Sequence, residues 1–173
     1  MQHQVTAKQK NAAHCFVCGN ENPYGLNMRY YELENGDVAG IFTAKEEHQS
    51  YPGRLHGGVI AAILDETAGR ALSITEGPDV FGVTVELSLR YKKPVPLETE
   101  LKAIGRITRN TRILFEGEAE ILLPDGEVAA TAYGKYWKMD VNKIVAEADA
   151  EDFVDVGEWR YIEGEDDPAT IEY

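Results

Sequence analysis

The strongest constraint on this chain is the stretch 54–71, RLHGGVIAAILDETAGRA, where a pair of glycines opens an apolar run that then takes two acids. Every residue from Val59 to Leu64 is apolar, Ala68, Ala71 and Leu72 follow, and helix formers outnumber strand formers. Residues 57–72 therefore read as a helix apolar on nearly all faces, hence buried, and far too short to cross a membrane. Gly57 and Gly58 carry no side chains, so the unpaired N–H groups of the first turn stay open to an anion or a polarised carbonyl at the positive end of the helix dipole. Asp65 and Glu66 follow about two turns later, where an ionised carboxylate costs several kcal/mol unless it is paired, solvated or turned to a cleft.

Around this helix the chain reads as strands. Residues 26–33 and 38–43 flank Asn35-Gly36, a strong hairpin signal. In 82–91, Val83, Val85, Leu87 and Leu89 alternate with Thr84, Glu86, Ser88 and Arg90, which predicts a half-buried strand with one polar face. Residues 98–108 and 112–123 form a long pair joined near Asn110, and Pro124-Asp125-Gly126-Glu127 turns into a last strand at 128–139. Four long strands after one helix predict a meander that curls an antiparallel sheet around it, an α+β layer solution. The open edges of such a sheet call for pairing, so a homodimer, or a dimer of dimers giving a homotetramer, is expected.

With 173 residues and 43% hydrophobic content the chain is one ordinary domain. The net charge of −13 argues against a nucleic-acid partner, and it is unevenly spread. Residues 140–173 hold 12 acids against Lys143 and Arg160, a net −10, while the remainder, with 18 acids against 15 bases, carries only −3. The expected organisation is a domain over 1–139, with 1–14 loose, and an acidic, solubilising extension over 140–173 in which Phe153, Trp159 and Tyr161 suggest partial packing. The N-terminal stretch has no apolar run of the signal-peptide or spanning kind, so a cytoplasmic location without membrane partners is expected. His14-Cys15-x-x-Cys18 offers at most three zinc ligands where a structural site takes four, and no metal is assigned. Gly19 stands where a haem-attachment motif needs His, and a thioredoxin-type pair lacks its parallel βαβ surroundings. Two buried thiols packing a turn-rich segment is the plainer reading.

Residues 52–66, PGRLHGGVIAAILDE, resemble the His-Gly-Gly helix of hotdog-fold thioesterases of the PaaI-like and 4-hydroxybenzoyl-CoA thioesterase type, and CFVCGNENPYGL at 15–26 resembles an opening found in PaaI-like proteins. The likeness runs from about Cys15 to Met139 and implies a hotdog fold, an antiparallel sheet wrapped around one central apolar helix. It implies hydrolysis of an acyl-CoA thioester to free acid and CoA, with CoA as part of the substrate and no separate cofactor. The amide that polarises the carbonyl falls on Gly57 with Gly58 beside it, and the acid on Asp65, nine residues after His56, in preference to Glu66. Gln49 and Ser50 stand near where family members place an Asn or Gln beside the carbonyl. His56 reads first as a helix-start residue bonded to neighbouring backbone and second as a general base, for which no orienting acid is evident. Thr84 faces the acyl group or is a plain strand threonine. Phosphates of CoA would be held by Arg90, Lys92 and Lys93 at a strand end, or by Arg106, Arg109 and Arg112 around Asn110. A non-catalytic acyl-CoA-binding domain would use the same glycines and bases without Asp65, and an enoyl-thioester hydratase would need a His-plus-Asp pair that the helix region does not show.

Overall fold

Asn35-Gly36 turns the chain as its chemistry requires: Gly36 takes φ 85°, a left-handed conformation that glycine adopts without steric cost, and the flanking residues pair from Glu32↔Val38 to Arg29↔Ile41. The computed structural model describes residues 1–140, 143–144 and 167–173; Phe153, Trp159 and Tyr161 lie outside the described residues. In chain order the elements are β1 (Gln2–Lys8), β2 (Arg29–Leu33), β3 (Val38–Thr43), a 3-10 turn (Glu46–His48), α1 (Gly57–Arg70), α2 (Ser73–Glu76), β4 (Val80–Tyr91), β5 (Glu100–Asn110), β6 (Leu114–Leu122), β7 (Val128–Asp140) and β8 (Thr170–Glu172). The strands form one antiparallel sheet in the order β4-β7-β6-β5-β3-β2-β1-β8, with α1 laid across its β4-to-β3 portion. This is the hotdog arrangement that the resemblance implied.

Helix α1 buries Ile60, Ile63, Leu64, Thr67 and Ala68 against Leu101, Ala103, Phe115, Ala119, Ile121, Ala132 and Tyr136 of the sheet. Each such Ile or Leu contributes about 1.5–3 kcal/mol through the apolar surface it removes from water. The helix sits close because the strands beneath it carry glycine: a Cβ at Gly105 would lie 2.4 Å from the Thr67 carbonyl oxygen. Only one face of the helix is fully buried, since Val59, Ala61, Ala62, Asp65 and Glu66 stay partly exposed in the single chain.

Two expectations are corrected. The last four long strands do not form a simple meander, because β5 pairs with β3 and β4 pairs instead with β7 at the sheet's far edge. Pro94 and Pro96, without N–H groups, block a tight β4–β5 hairpin, and the linking segment bonds elsewhere: Lys92 and Lys93 donate to the Ala129 carbonyl, and Leu55 donates to Val95. Residues 2–8, expected to be loose, form β1 between β2 and β8. Its partner β8 lies in the stretch read as an acidic extension and buries Ile171 against Tyr31, Leu33, Ala39, Ile41, Ile104 and Leu122. A salt bridge of 2.7 Å between Lys8 and Asp167 closes this clasp on the sheet face opposite α1.

Candidate active site

At the head of α1, His56 is the N-cap, and its Nδ1 accepts the Gly58 N–H at 2.9 Å. Val59 and Ile60 donate to the His56 carbonyl, so these amides are satisfied. Among the described residues nothing accepts from the Gly57 N–H, which leaves it as the free donor of the glycine pair. The Tyr91 hydroxyl holds the Gly57 carbonyl at 2.9 Å and fixes the helix head to the end of β4. His56 thus occupies the cap position that was its first reading, and it takes the Gly58 amide while the Gly57 amide is left free.

Eight residues on, Asp65 accepts from the Thr84 hydroxyl, whose single hydrogen is shared between the two carboxylate oxygens at 3.0 and 3.1 Å. The Tyr136 hydroxyl donates to the Asp65 backbone carbonyl at 3.2 Å. Burial raises the Asp65 carboxyl above its usual range, and hydrogen bonding from the Thr84 and Tyr136 hydroxyls opposes that rise. Asp65, Thr84, Val80, Phe81, Gly82 and Tyr136 line part of a cavity of about 640 Å³. A half-buried carboxylate that has no cationic partner among the described residues, holding its proton more tightly than usual beside a partly apolar cavity, is suited to taking a proton from water.

Glu66 is held differently. One oxygen accepts from Arg70 Nε at 2.8 Å and the other from the Cys15 thiol at 3.2 Å. Arg70 also donates to Gln9 Oε1 and the Lys10 carbonyl, and its guanidinium lies 4.3 Å from the Tyr30 ring centroid. The Cys18 thiol hydrogen-bonds the Cys15 sulfur, which lowers the pKa of Cys15 and raises that of Cys18.

The remaining sequence candidates are spread out. Gln49 and Ser50 are exposed on a short hairpin, where Gln49 bridges Leu55 and Ser50 donates to the Arg54 carbonyl. Sequence reasoning passed over His48, which is buried: Nδ1 accepts from the Lys45 N–H, Nε2 bonds the Tyr24 carbonyl, and its own carbonyl accepts from His56. It anchors the loop that delivers the helix head. Tyr91 and Tyr136 were also missed, because nothing local marks a strand tyrosine that reaches a helix carbonyl. Arg90 and Lys92 border a hollow of about 430 Å³ with Arg106, Glu118, Glu120 and Tyr133, apart from the Asp65 cavity. Lys93 is paired with Glu127, and Arg109 lies 3.5 Å from Glu116.

A family model described as the thioesterase superfamily matches residues 52–130. A protein of Saccharolobus solfataricus that carries an esterase name is 30% identical over 116 residues, which cover 65% of this chain and 79% of that protein. An acyl-coenzyme A thioesterase of Mus musculus is 36% identical over 92 residues, 52% of this chain but only 38% of the mouse protein. A crystal structure of a thioesterase superfamily protein superposes with a TM-score of 0.65 at 31% identity, over 72% of this chain and 60% of the other. The chain therefore spans well under half of the mouse protein's length.

Proposed function

The chain belongs to the thioesterase superfamily, and on that premise we propose that it hydrolyses acyl-CoA thioesters to the free acid and coenzyme A. The observation that carries this reading is the pair of reactive groups on α1: one free glycine amide at its head and one carboxylate, held by a hydroxyl, in its middle. The likeness to the mouse protein supports CoA as the thiol.

The thioester oxygen accepts the Gly57 N–H, which faces the charge that develops as the carbonyl is attacked; one such donor is worth roughly 3 kcal/mol, about a hundredfold in rate. Ionised Asp65 takes a proton from water while the water oxygen bonds the carbonyl carbon. Collapse of the adduct breaks the C–S bond, and the departing CoA sulfur takes up the proton. Direct attack by the carboxylate would give an acyl anhydride that water opens to the same products.

Helix geometry adds a constraint. Eight residues at a rise of roughly 1.5 Å put Gly57 and Asp65 about 12 Å apart, whereas the attacking atom has to come within about 3.5 Å of the carbonyl carbon. The acid that serves Gly57 therefore comes from a second copy of α1 in a homodimer, giving two shared sites. The exposed edge supports this: β4 ends the sheet, its Val83 and Val85 are 42% and 59% exposed, and Trp137 beside it on β7 is 54% exposed.

The test mixes two inactive variants, Asp65→Ala and Gly57→Pro, and allows subunit exchange. Proline suits the first position of a helix and removes the N–H. Mixed dimers hold one intact site and recover part of the activity on a panel of acyl-CoAs scored for thiol release. No recovery, with exchange confirmed by mass, sinks the shared site. Tight binding of acyl-CoA without any thiol release by the parent would turn the reading to a binding domain.

A further inference from the structure

We propose that Cys15, Cys18 and Glu66 form a binding site for a thiophilic divalent cation, zinc by its chemistry, that joins the N-terminal turn to the middle of α1. One ligand atom from each of the three residues lies within 4.8 Å of the others. The Cys15 sulfur is 3.2 Å from Glu66 Oε2. Two thiols and a carboxylate drawn together at this scale are the donor set that zinc accepts, and first-row cations of harder character do not favour such sulfur ligands.

The local backbone is built for sulfur ligands. Cys15-Phe16-Val17-Cys18-Gly19 has the two-residue spacing of a metal-binding turn, and the Val17 N–H points at the Cys15 sulfur at 3.4 Å. Such N–H donors stabilise thiolates and orient them. Gly19 closes the turn by donating to the Cys15 carbonyl at 2.9 Å, and a Cβ there would sit 2.2 Å from that oxygen. No larger residue closes the turn this way, so the two sulfurs stay on one side of it.

The charges also balance. Two thiolates and one carboxylate carry −3, a divalent cation supplies +2, and Arg70, bonded to the same carboxylate at 2.8 Å, supplies the remaining +1. Binding releases the two thiol protons to solvent, so affinity rises with pH. Among the described residues the cluster has three members, so water or a cavity ligand completes the tetrahedron. All three residues line the cavity that Asp65 also lines. The sequence offered His14 beside the two cysteines; the structure brings Glu66, 51 residues along the chain from Cys15, to them instead.

The proposal is independent of the thioesterase reading and is tested without any activity assay. The full chain, stripped with chelator and kept under a phosphine reductant, is titrated with Co²⁺ and then with Zn²⁺. The expected result is one cobalt per chain with a thiolate-to-cobalt charge-transfer absorption, displaced by stoichiometric zinc. The double variant Cys15→Ser/Cys18→Ser, which leaves the chain without cysteine, abolishes the band. Glu66→Gln weakens cobalt binding about tenfold or more. Because Glu66→Gln also strips a partner from Arg70, the half-buried Cys15→Ser serves as the milder variant, and it should lose about half of the band's intensity. Absence of the charge-transfer band at stoichiometric cobalt overturns the proposal. So does zinc affinity that is the same in the parent and the cysteine-free variant, since the metal would then sit elsewhere on the chain.

Discussion

On the β4 side of α1, Asp65 meets the Thr84 and Tyr136 hydroxyls and an open cavity; on the side of the N-terminal turn, the adjacent Glu66 meets Arg70 and the Cys15 thiol. Both carboxylates are drawn out of water by the same helix, yet among the described residues only Glu66 gains a cation. Compensation of its charge makes Glu66 a structural group, whereas Asp65 carries an uncompensated desolvation cost that raises its proton affinity. Reactivity on this helix thus follows from what the fold withholds as much as from what it supplies.

Replacing each acid by its amide breaks the comparison most directly. Asp65→Asn should lower kcat by about 10²–10⁴-fold, the usual range for a positioned acid–base group, with thioester binding retained. Its stability should move the other way. The folded state holds the Asp65 proton more tightly than the unfolded state does, so stability falls as pH rises from the ordinary carboxylate value through the raised one. At neutral pH the carboxylate therefore costs stability, and the amide should raise the Tm there but leave it unchanged in acid well below that window. A lower Tm for Asp65→Asn at neutral pH would show that its carboxylate is compensated after all.

Glu66→Gln should do the reverse. Arg70 is only 11% exposed and would keep its charge with no carboxylate beside it, which predicts a loss of about 2–3 kcal/mol, somewhat under the cost for a fully buried pair. Denaturant unfolding measures this, and kcat should stay within a few-fold of the parent. If Glu66→Gln is the inactive variant and Asp65→Asn the active one, the roles assigned to the two sides are inverted.

Thr84→Val sharpens the Asp65 side alone. The hydroxyl favours the ionised carboxylate, so its loss should move the acid limb of the pH–rate profile to higher pH and lower the rate most on that limb. An unshifted limb would make Thr84 a packing residue only. The smallest effect is expected from Tyr136→Phe, which removes a 3.2 Å bond to the Asp65 backbone carbonyl worth about 1 kcal/mol; activity should drop no more than several-fold.

Much of this site was legible before the fold was known. The glycine pair, the apolar helix and the two acids are all local in sequence, and so was the cap reading of His56. The choice of Asp65 over Glu66 rested on resemblance, and the structure adds a physical reason for it in the different partners of the two acids. What stayed hidden were contacts between distant segments: Tyr91 on the Gly57 carbonyl, Tyr136 on the Asp65 carbonyl, and Arg70 and Cys15 on Glu66. Gln49 and Ser50 pointed to a loop over the helix head, but the buried group that sets that loop is the preceding His48.

By itself the sequence determined the elements whose signals repeat within a few residues: the helix through its apolar run, the β2–β3 hairpin through Asn35-Gly36, and β4 as a strand, although a bulge between Thr84 and Glu86 breaks its alternation, so that Val83 and Val85 are exposed and Thr84 faces Asp65. It also placed two glycine amides at the head of α1, of which the fold leaves the Gly57 N–H free while His56 caps that of Gly58. Only the tertiary structure decided that β4 pairs with β7, that β1 and β8 meet as a clasp, and which of two adjacent carboxylates receives a cation. The physical reason is range. Helix period, strand period and turn chemistry act between near neighbours, whereas strand order and charge pairing are set by which distant surfaces close over a common core, and no local pattern encodes that closure.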